Sequence, residues 1–260
     1  VILRGTFAGF LAVLVLAPGH APAQTILNTE RFQLREVEGI HASADLDISI
    51  QRGNTRLLNV STSGMIGTLS GRHWPRVIFG GRYLSDDDRS ILDEQFAQVR
   101  YSYILSPETR TFHFVQAQKN ETLLLQSRWL VGSGLRRTMV DTGRTSIALG
   151  TGAMIEWEEL EASRIGPDDQ ASSRAVRMTN LAVFSHDFPG GARVLNILYV
   201  QPDLSDPGDL RLLNDLALLI PLSDRFRTTV SLEWRRDSRP PSTLEGDDLN
   251  LKVGFGIDWL

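Results

Sequence analysis

The sequence predicts an all-β fold: a transmembrane antiparallel up-and-down β-barrel of about twelve strands, following a cleaved signal peptide. Three observations carry that expectation. Helical periodicity is nearly absent after Gln24, whereas apolar and polar residues alternate with a period of two along most of the chain. The cleanest alternating runs last roughly 10–12 residues, enough to cross an apolar band of ~25 Å at a tilt of ~40°. Connections alternate between compact and long, as in a meander with short periplasmic turns and longer outer loops.

The 260-residue chain opens with VILRGTFAGFLAVLVLAPGHAPAQ, where Arg4 precedes an apolar run from Phe7 to Leu16 and then Ala21-Pro22-Ala23. A positive charge, an apolar core and a small-x-small site, in that order, describe a secretory signal peptide cleaved after Ala23. Residues 1–23 are therefore set apart, residues 24–38 form at most a short periplasmic lead, and residues 39–260 form the barrel domain. No stretch approaches the ~20 uninterrupted apolar residues with which a helix crosses a bilayer. The chain has no cysteine, so disulfides and thiolate metal sites are excluded. A formal charge of −4 argues against nucleic acid as a partner. Every basic residue except Lys119 and Lys252 is arginine, whose rigid fork of donors suits enclosed carboxylates.

The first strand is IHASADLDISIQ. Ile40, Ala42, Ala44, Leu46, Ile48 and Ile50 share one face, and His41, Ser43, Asp45, Asp47, Ser49 and Gln51 the other. Further strands are expected at about 56–70, 76–85, 91–105, 110–120, 122–140, 145–162, 174–187, 192–202 and 209–222. In 110–120, 174–187 and 192–202 the alternation is too irregular to assign faces. The eleventh strand, RFRTTVSLEWRR, sets Phe226, Thr228, Val230, Leu232 and Trp234 against Arg225, Arg227, Thr229, Ser231, Glu233 and Arg235. In the last, LNLKVGFGIDWL, Leu249, Leu251, Val253, Phe255, Ile257 and Trp259 alternate with polar or small residues. Turns after even-numbered strands are compact: GRHWP, SPET, DTGR, FPGG and LSD. Most connections after odd-numbered strands are longer and charged: LSDDDRS, SRIGPDDQASS, QPDLSDPGD and RDSRPPSTLEGDD.

A secreted β-sandwich also shows many alternating strands after a signal peptide. Its strands are commonly about 5–6 residues long, shorter than these. Trp74, Trp157, Trp234 and Trp259 lie near strand ends, where indole rings favour the membrane–water boundary. An even strand count also lets a meander close with no free edge, as hydrocarbon requires.

With the apolar faces toward lipid, the lumen receives Asp45, Asp47, Arg76, Arg82, Arg100, Arg128, Arg136, Glu156, Glu158, Arg227, Glu233, Arg235, Lys252 and Asp258. This mixture predicts salt bridges that brace a narrow barrel, in preference to a polar path with weak anion preference. His41 and Ser43, two apart on one face, supply the minimum of a base beside a hydroxyl. They share that face with Asp45, Asp47 and Gln51 and so point into the lumen, away from acyl chains. There is no Gly-x-Ser-x-Gly elbow. No catalytic residue is assigned. His73, His113 and His186 lack zinc-ligand spacing, and the acidic loops do not match a calcium loop. The glycine pairs in GSGLRR, GTGAM and GFGID lie inside strands, where close packing or curvature explains them better than nucleotide binding. No cofactor or metal is indicated; bridging of the acidic loops to lipopolysaccharide through divalent cations is the weaker reading.

Three segments resemble a known family. QRGNTRLLNVS is similar to the S-G-N-T stretch near the start of the YdiY-like, salt-induced outer-membrane protein family, a bacterial domain of unknown function. SRWLVGSGLRR resembles its central Arg-rich strand, and LEWRRDSRPPSTLEGDDLNLKVGFGIDW its closing hairpin with a Pro-Pro loop. Arg52 departs from the small residue usual before Gly53, and Leu260 from the usual aromatic ending. The resemblance implies an outer-membrane barrel of Gram-negative bacteria, linked by name to salt response, with no established substrate or catalytic residues.

These readings give a structural or narrow-pore envelope protein, exported through the Sec pathway to the outer membrane, with a link to salt and osmotic response through the resemblance. The alternatives are a lipid-modifying enzyme and a surface-binding barrel that uses its acidic loops. Expected partners are outer-membrane lipid, lipopolysaccharide and the barrel-assembly machinery; the sequence sets no oligomeric state. Gly254, Ile257 and Trp259 fall at the spacing of the C-terminal signal which that machinery recognises.

Overall fold

The computed structural model describes residues 26, 28, 30, 38–51, 57–86, 89–223 and 226–257. The expected signal peptide lies outside them. Twelve strands follow in chain order: β1 (Gly39–Gln51), β2 (Leu57–Leu69), β3 (His73–Asp86), β4 (Arg89–Ser106), β5 (Thr109–Asn120), β6 (Leu125–Asp141), β7 (Thr145–Leu160), β8 (Ser172–Asp187), β9 (Arg193–Pro202), β10 (Leu210–Pro221), β11 (Phe226–Asp237) and β12 (Asp247–Ile257). Each pairs antiparallel with the next, so one sheet runs from β1 to β12 without a crossover. All twelve strands read from the alternation are present, and no α-helix occurs among the described residues.

The sheet curls. Gln98 on β4 and Gln201 on β9 line one internal cavity of about 40 Å³. Five strand spacings would hold them ~24 Å apart in a flat sheet. Register shifts at Leu84/Ser85, Ile104/Ser106, Gln118/Asn120, Leu125/Ser127 and Thr138/Val140 concentrate in β3–β7. Such bulges bend a strand and raise its twist, which drives the curl. The short turns owe their compactness to glycine in the left-handed region, as at Gly143 (φ 77°) and Gly190 (φ 98°).

The expected full closure is not seen: among the described residues no pairing joins β1 to β12. Outward side chains on these edges are correspondingly bare, Ile40 being 79% and Leu249 67% exposed. Alternation specifies which way a side chain faces. Closure depends on stagger and tilt around the whole sheet, which no single strand encodes.

The long loops form a tied layer at one end. Asp169, between β7 and β8, accepts hydrogen bonds from Gly166 N (2.8 Å) and from Ser242 N and Oγ (2.9 and 2.8 Å), Ser242 lying between β11 and β12. Arg239 pairs with Asp206, and Ser238 Oγ donates to Gly208 O at 2.9 Å. The acidic loops are thus used to hold one another. The Ser242 hydroxyl, with the Gly166 and Ser242 amides, keeps the Asp169 carboxyl below its ordinary range. A depressed carboxyl contributes stability above the unfolded value, near ~4, and loses it as pH falls through the folded one. The Ser242 amide resonance should therefore stay in its clamped position through the ordinary aspartate range. It should move only at lower pH, and Asp169→Ala should leave it unclamped at every pH. Movement centred on the ordinary aspartate value would contradict the clamp.

Candidate functional site

Residue parity decides what enters the concave interior, the lumen. From β3 to β7 the buried side chains are even-numbered, save Ser85 and Leu125 at register shifts, and from β8 to β11 they are odd-numbered. The opposite parity leaves Val99, Val115, Val131, Leu149, Val176, Leu216 and Leu232 exposed on the outside. A charged interior beneath an apolar exterior inverts the pattern of a soluble sheet.

Two ionic layers result. Toward the long-loop end, Arg211 of β10 donates to Glu156 (2.6 Å), Glu158 (3.2 Å) and Asp237 (3.0 Å). Arg128 of β6 grips Glu158 through Nε at 2.8 Å and through Nη2, and lies 3.6 Å from Glu156. Arg177 of β8 holds Glu156 at 3.2 Å and both oxygens of Asp209 at 3.0 and 2.8 Å. Three guanidiniums and four carboxylates thereby tie β6, β7, β8, β10, β11 and a long loop together. Glu156, at the centre, is 2% exposed.

The second layer lies toward the short turns. Arg76 stacks on Trp74, with its guanidinium carbon 3.8 Å from the ring centroid, and donates to Ser102 Oγ at 3.0 Å. Arg110 approaches the same indole at 5.2 Å. Arg100 and Arg136 pair with Glu30 at 3.6 and 3.5 Å.

Glu30 belongs to the lead, and here the expectation of a short periplasmic segment needs correction. Ile26, Asn28 and Glu30 lie inside the curl of the sheet, whereas Glu38 is exposed. Ile26 packs among Leu181, Ile197, Tyr199 and Leu213, and Asn28 Nδ2 donates to Asp215 Oδ2 at 2.5 Å. Glu38, which precedes β1, accepts the Gly71 amide at 3.1 Å beside the β2–β3 turn. The physical reason is an apolar patch within the polar lumen, which needs cover, and Ile26 supplies it.

The family model described as Protein of unknown function, DUF481, matches residues 44–259. The chain belongs to the DUF481 family. This is the family commonly described as YdiY-like, in agreement with the resemblance read from the sequence. No curated protein matches the chain.

Of the lumen charges expected from sequence, this DUF481 protein buries Arg76, Arg100, Arg128, Glu156, Glu158 and Glu233, and half-buries Arg136 and Arg235. Glu233 pairs with Arg235 at 3.0 Å. Arg82 sits near the rim, 3.6 Å from Glu94, with 43% of its side chain exposed. The side chains of Asp45, Asp47, Arg227 and Lys252, and the whole of Asp258, lie outside the described residues. Sequence reasoning missed Glu30, Arg110, Arg177, Asp209, Arg211, Asp215 and Asp237. Arg110 and Arg177 fall where alternation failed, while Asp215 stood mid-strand among leucines and was readable.

Trp74 is a second correction. It is 3% exposed and faces inward, because parity, and not nearness to a turn, sets its direction. Trp157 and Trp234 face outward, joined by Trp129, which stands opposite Trp157 across β6 and β7. The Trp234 indole donates to Asp247 at 3.1 Å. Trp259 and the Ile257 side chain lie outside the described residues. A Cβ at Gly254, on the unpaired edge of β12, would meet nothing within 4 Å.

His41 and Ser43 stand opposite Gly67 and Met65 across β1 and β2, on the inner side where Met65 is buried. A different pair faces outward. His113 Nδ1 lies 2.8 Å from Ser133 Oγ, and its Nε2 3.2 Å from Thr111 Oγ1. Tyr101 stacks on His113 and reaches His73 Nδ1 at 2.8 Å. An apolar groove of about 500 Å³ runs alongside, lined by Val99, Val115, Val131 and Ile155 among others.

Proposed function

We propose that this DUF481 protein is a structural outer-membrane β-barrel of the Gram-negative envelope, internally braced and non-conducting. The observation that carries the reading is the ion-pair layer joining β6, β7, β8, β10 and β11 across the lumen. Below it the cavity of about 40 Å³ has room for a few waters and no solute. The exposed apolar exterior with Trp129, Trp157 and Trp234 near the long-loop end suits a lipid boundary. In hydrocarbon β1 and β12 must pair, since an open edge would leave amides and carbonyls unsatisfied. Lipid and lipopolysaccharide contact the outside, and the barrel-assembly machinery inserts the chain. The link to salt stress lies in the brace: buried ion pairs are screened little by salt, so they keep their strength as ionic strength rises. Planar-bilayer recording tests this. The heat-modifiable, membrane-inserted protein should show no unitary steps; ohmic steps from the wild-type chain would replace the brace with a pore.

The lipid-modifying alternative is favoured by one observation, the outward His113–Ser133 pair beside an apolar groove. A hydroxyl hydrogen-bonded to imidazole is the arrangement that activates a nucleophile toward an acyl ester. The neighbouring strand amides are committed to pairing, so an oxyanion donor would have to come from a side chain. Phospholipid hydrolysis abolished by Ser133→Ala, with heat-modifiability retained, would establish the enzyme over the brace.

A further inference from the structure

We infer that the lumen contains a carboxylate-binding seat, built by Arg100 and Arg136 and filled in this structure by Glu30 of the chain's own lead. The inference deepens the barrel reading, since it concerns the interior of that barrel.

Glu30 reaches these arginines from outside the sheet. Its side chain is 2% exposed, with Arg100 Nη2 and Arg136 Nη2 at 3.6 and 3.5 Å. A carboxylate loses its hydration at such a depth, so guanidinium partners must hold it there. The seat is rigid. Arg100 comes from β4 and Arg136 from β6, both inside long paired strands. Arg76 and Arg110, fixed against Trp74, line the same layer. One guanidinium stands against each carboxylate oxygen, Arg100 at Oε1 and Arg136 at Oε2, so the seat recognises a carboxylate by paired charge.

Glu30 itself belongs to no strand of the sheet. The Asn28–Asp215 hydrogen bond and the Ile26 contacts also hold the lead in the lumen. Lifting Glu30 from its seat requires none of the twelve strands to unpair. A small free carboxylate of the succinate class competes for the position that Glu30 occupies as a tethered ligand.

The test uses the full chain, which has no native cysteine to interfere. Asn28→Cys places one thiol beside Asp215, and its maleimide labelling rate reports release of the lead. Saturating succinate should speed labelling about tenfold over sodium chloride at equal ionic strength. Adding Glu30→Gln should give the fast rate without succinate, and adding Arg100→Gln with Arg136→Gln should remove any further response to it. The pair Asn28→Cys and Asp215→Cys should form a disulfide on oxidation. No disulfide would overturn the position of the lead. Equal effects of succinate and chloride, or slow labelling with Glu30→Gln, would overturn the seat. Failure of the barrel reading would show separately, as a chain that is not heat-modifiable and does not insert into vesicles.

Discussion

Arg211→Met should lower the temperature of heat-modification more than any other single change in the long-loop ionic layer, through a loss of about 3–5 kcal/mol. Arg211 serves three carboxylates at once: Glu156, Glu158 and Asp237. The layer already holds one more carboxylate than guanidinium, so losing an arginine leaves buried negative charge unbalanced. Methionine keeps much of the side-chain volume, so the cost reports charge and not a cavity. Glu156→Gln is the informative contrast. It removes the central carboxylate, yet Arg177 keeps Asp209, Arg128 keeps Glu158, and Arg211 keeps Glu158 and Asp237. Its loss should be less than half that of Arg211→Met. Equal losses would mean that shape alone, without the sign of the charge, sets the stability of this layer. Thermal gel-shift curves of the two variants against wild type decide the matter.

The strands were legible because period-two alternation is a local property, and a run such as Phe226 to Trp234 declares its two faces without reference to the rest of the chain. Face assignment failed where the lumen is itself apolar. On β8 and β9, Leu181, Ile197 and Tyr199 point inward with Arg177 and Gln201, so both faces look alike in sequence. That patch is covered by Ile26, more than 150 residues away, and no window along the strand contains this information. Phe112 and Phe114 blur β5 in the same way. The arginine brace was half legible. Arg128, Glu156 and Glu158 lie in cleanly alternating strands, whereas Asp209 and Asp237 sit in or beside loops that read as solvated. The outward pair of His113 and Ser133 was hidden for another reason. Its members are on different strands, and only the β5–β6 register places them opposite each other.

Gly134→Ala should prevent formation of the heat-modifiable fold, although alanine adds one methyl group. Gly134 on β6 stands directly opposite Gly152 on β7. A Cβ on Gly134 would overlap the Thr151 carbonyl oxygen, reach 2.5 Å from the Phe112 ring and 2.7 Å from Gly152 Cα. A Cβ on Gly152 would overlap the Ser133 carbonyl oxygen and come within 2.8 Å of Gly134 Cα. Phe112 can turn, but two of these three obstacles are backbone. The strands would have to part at the centre of the sheet, above the ordinary ~1–3 kcal/mol cost of overpacking. Two other glycines calibrate the result. At Gly150 the nearest atom to an added Cβ is 3.4 Å away, and at Gly254 nothing lies within 4 Å. Gly150→Ala should be nearly silent, and Gly254→Ala neutral or stabilising by up to ~1 kcal/mol, because glycine weakens a strand interior. Refolding yields in detergent give the order of the three. Gly254→Ala also separates two roles for the last strand. Normal refolding with impaired insertion in cells would assign Gly254 to recognition by the assembly machinery; losses in both would assign it to the β1–β12 seam.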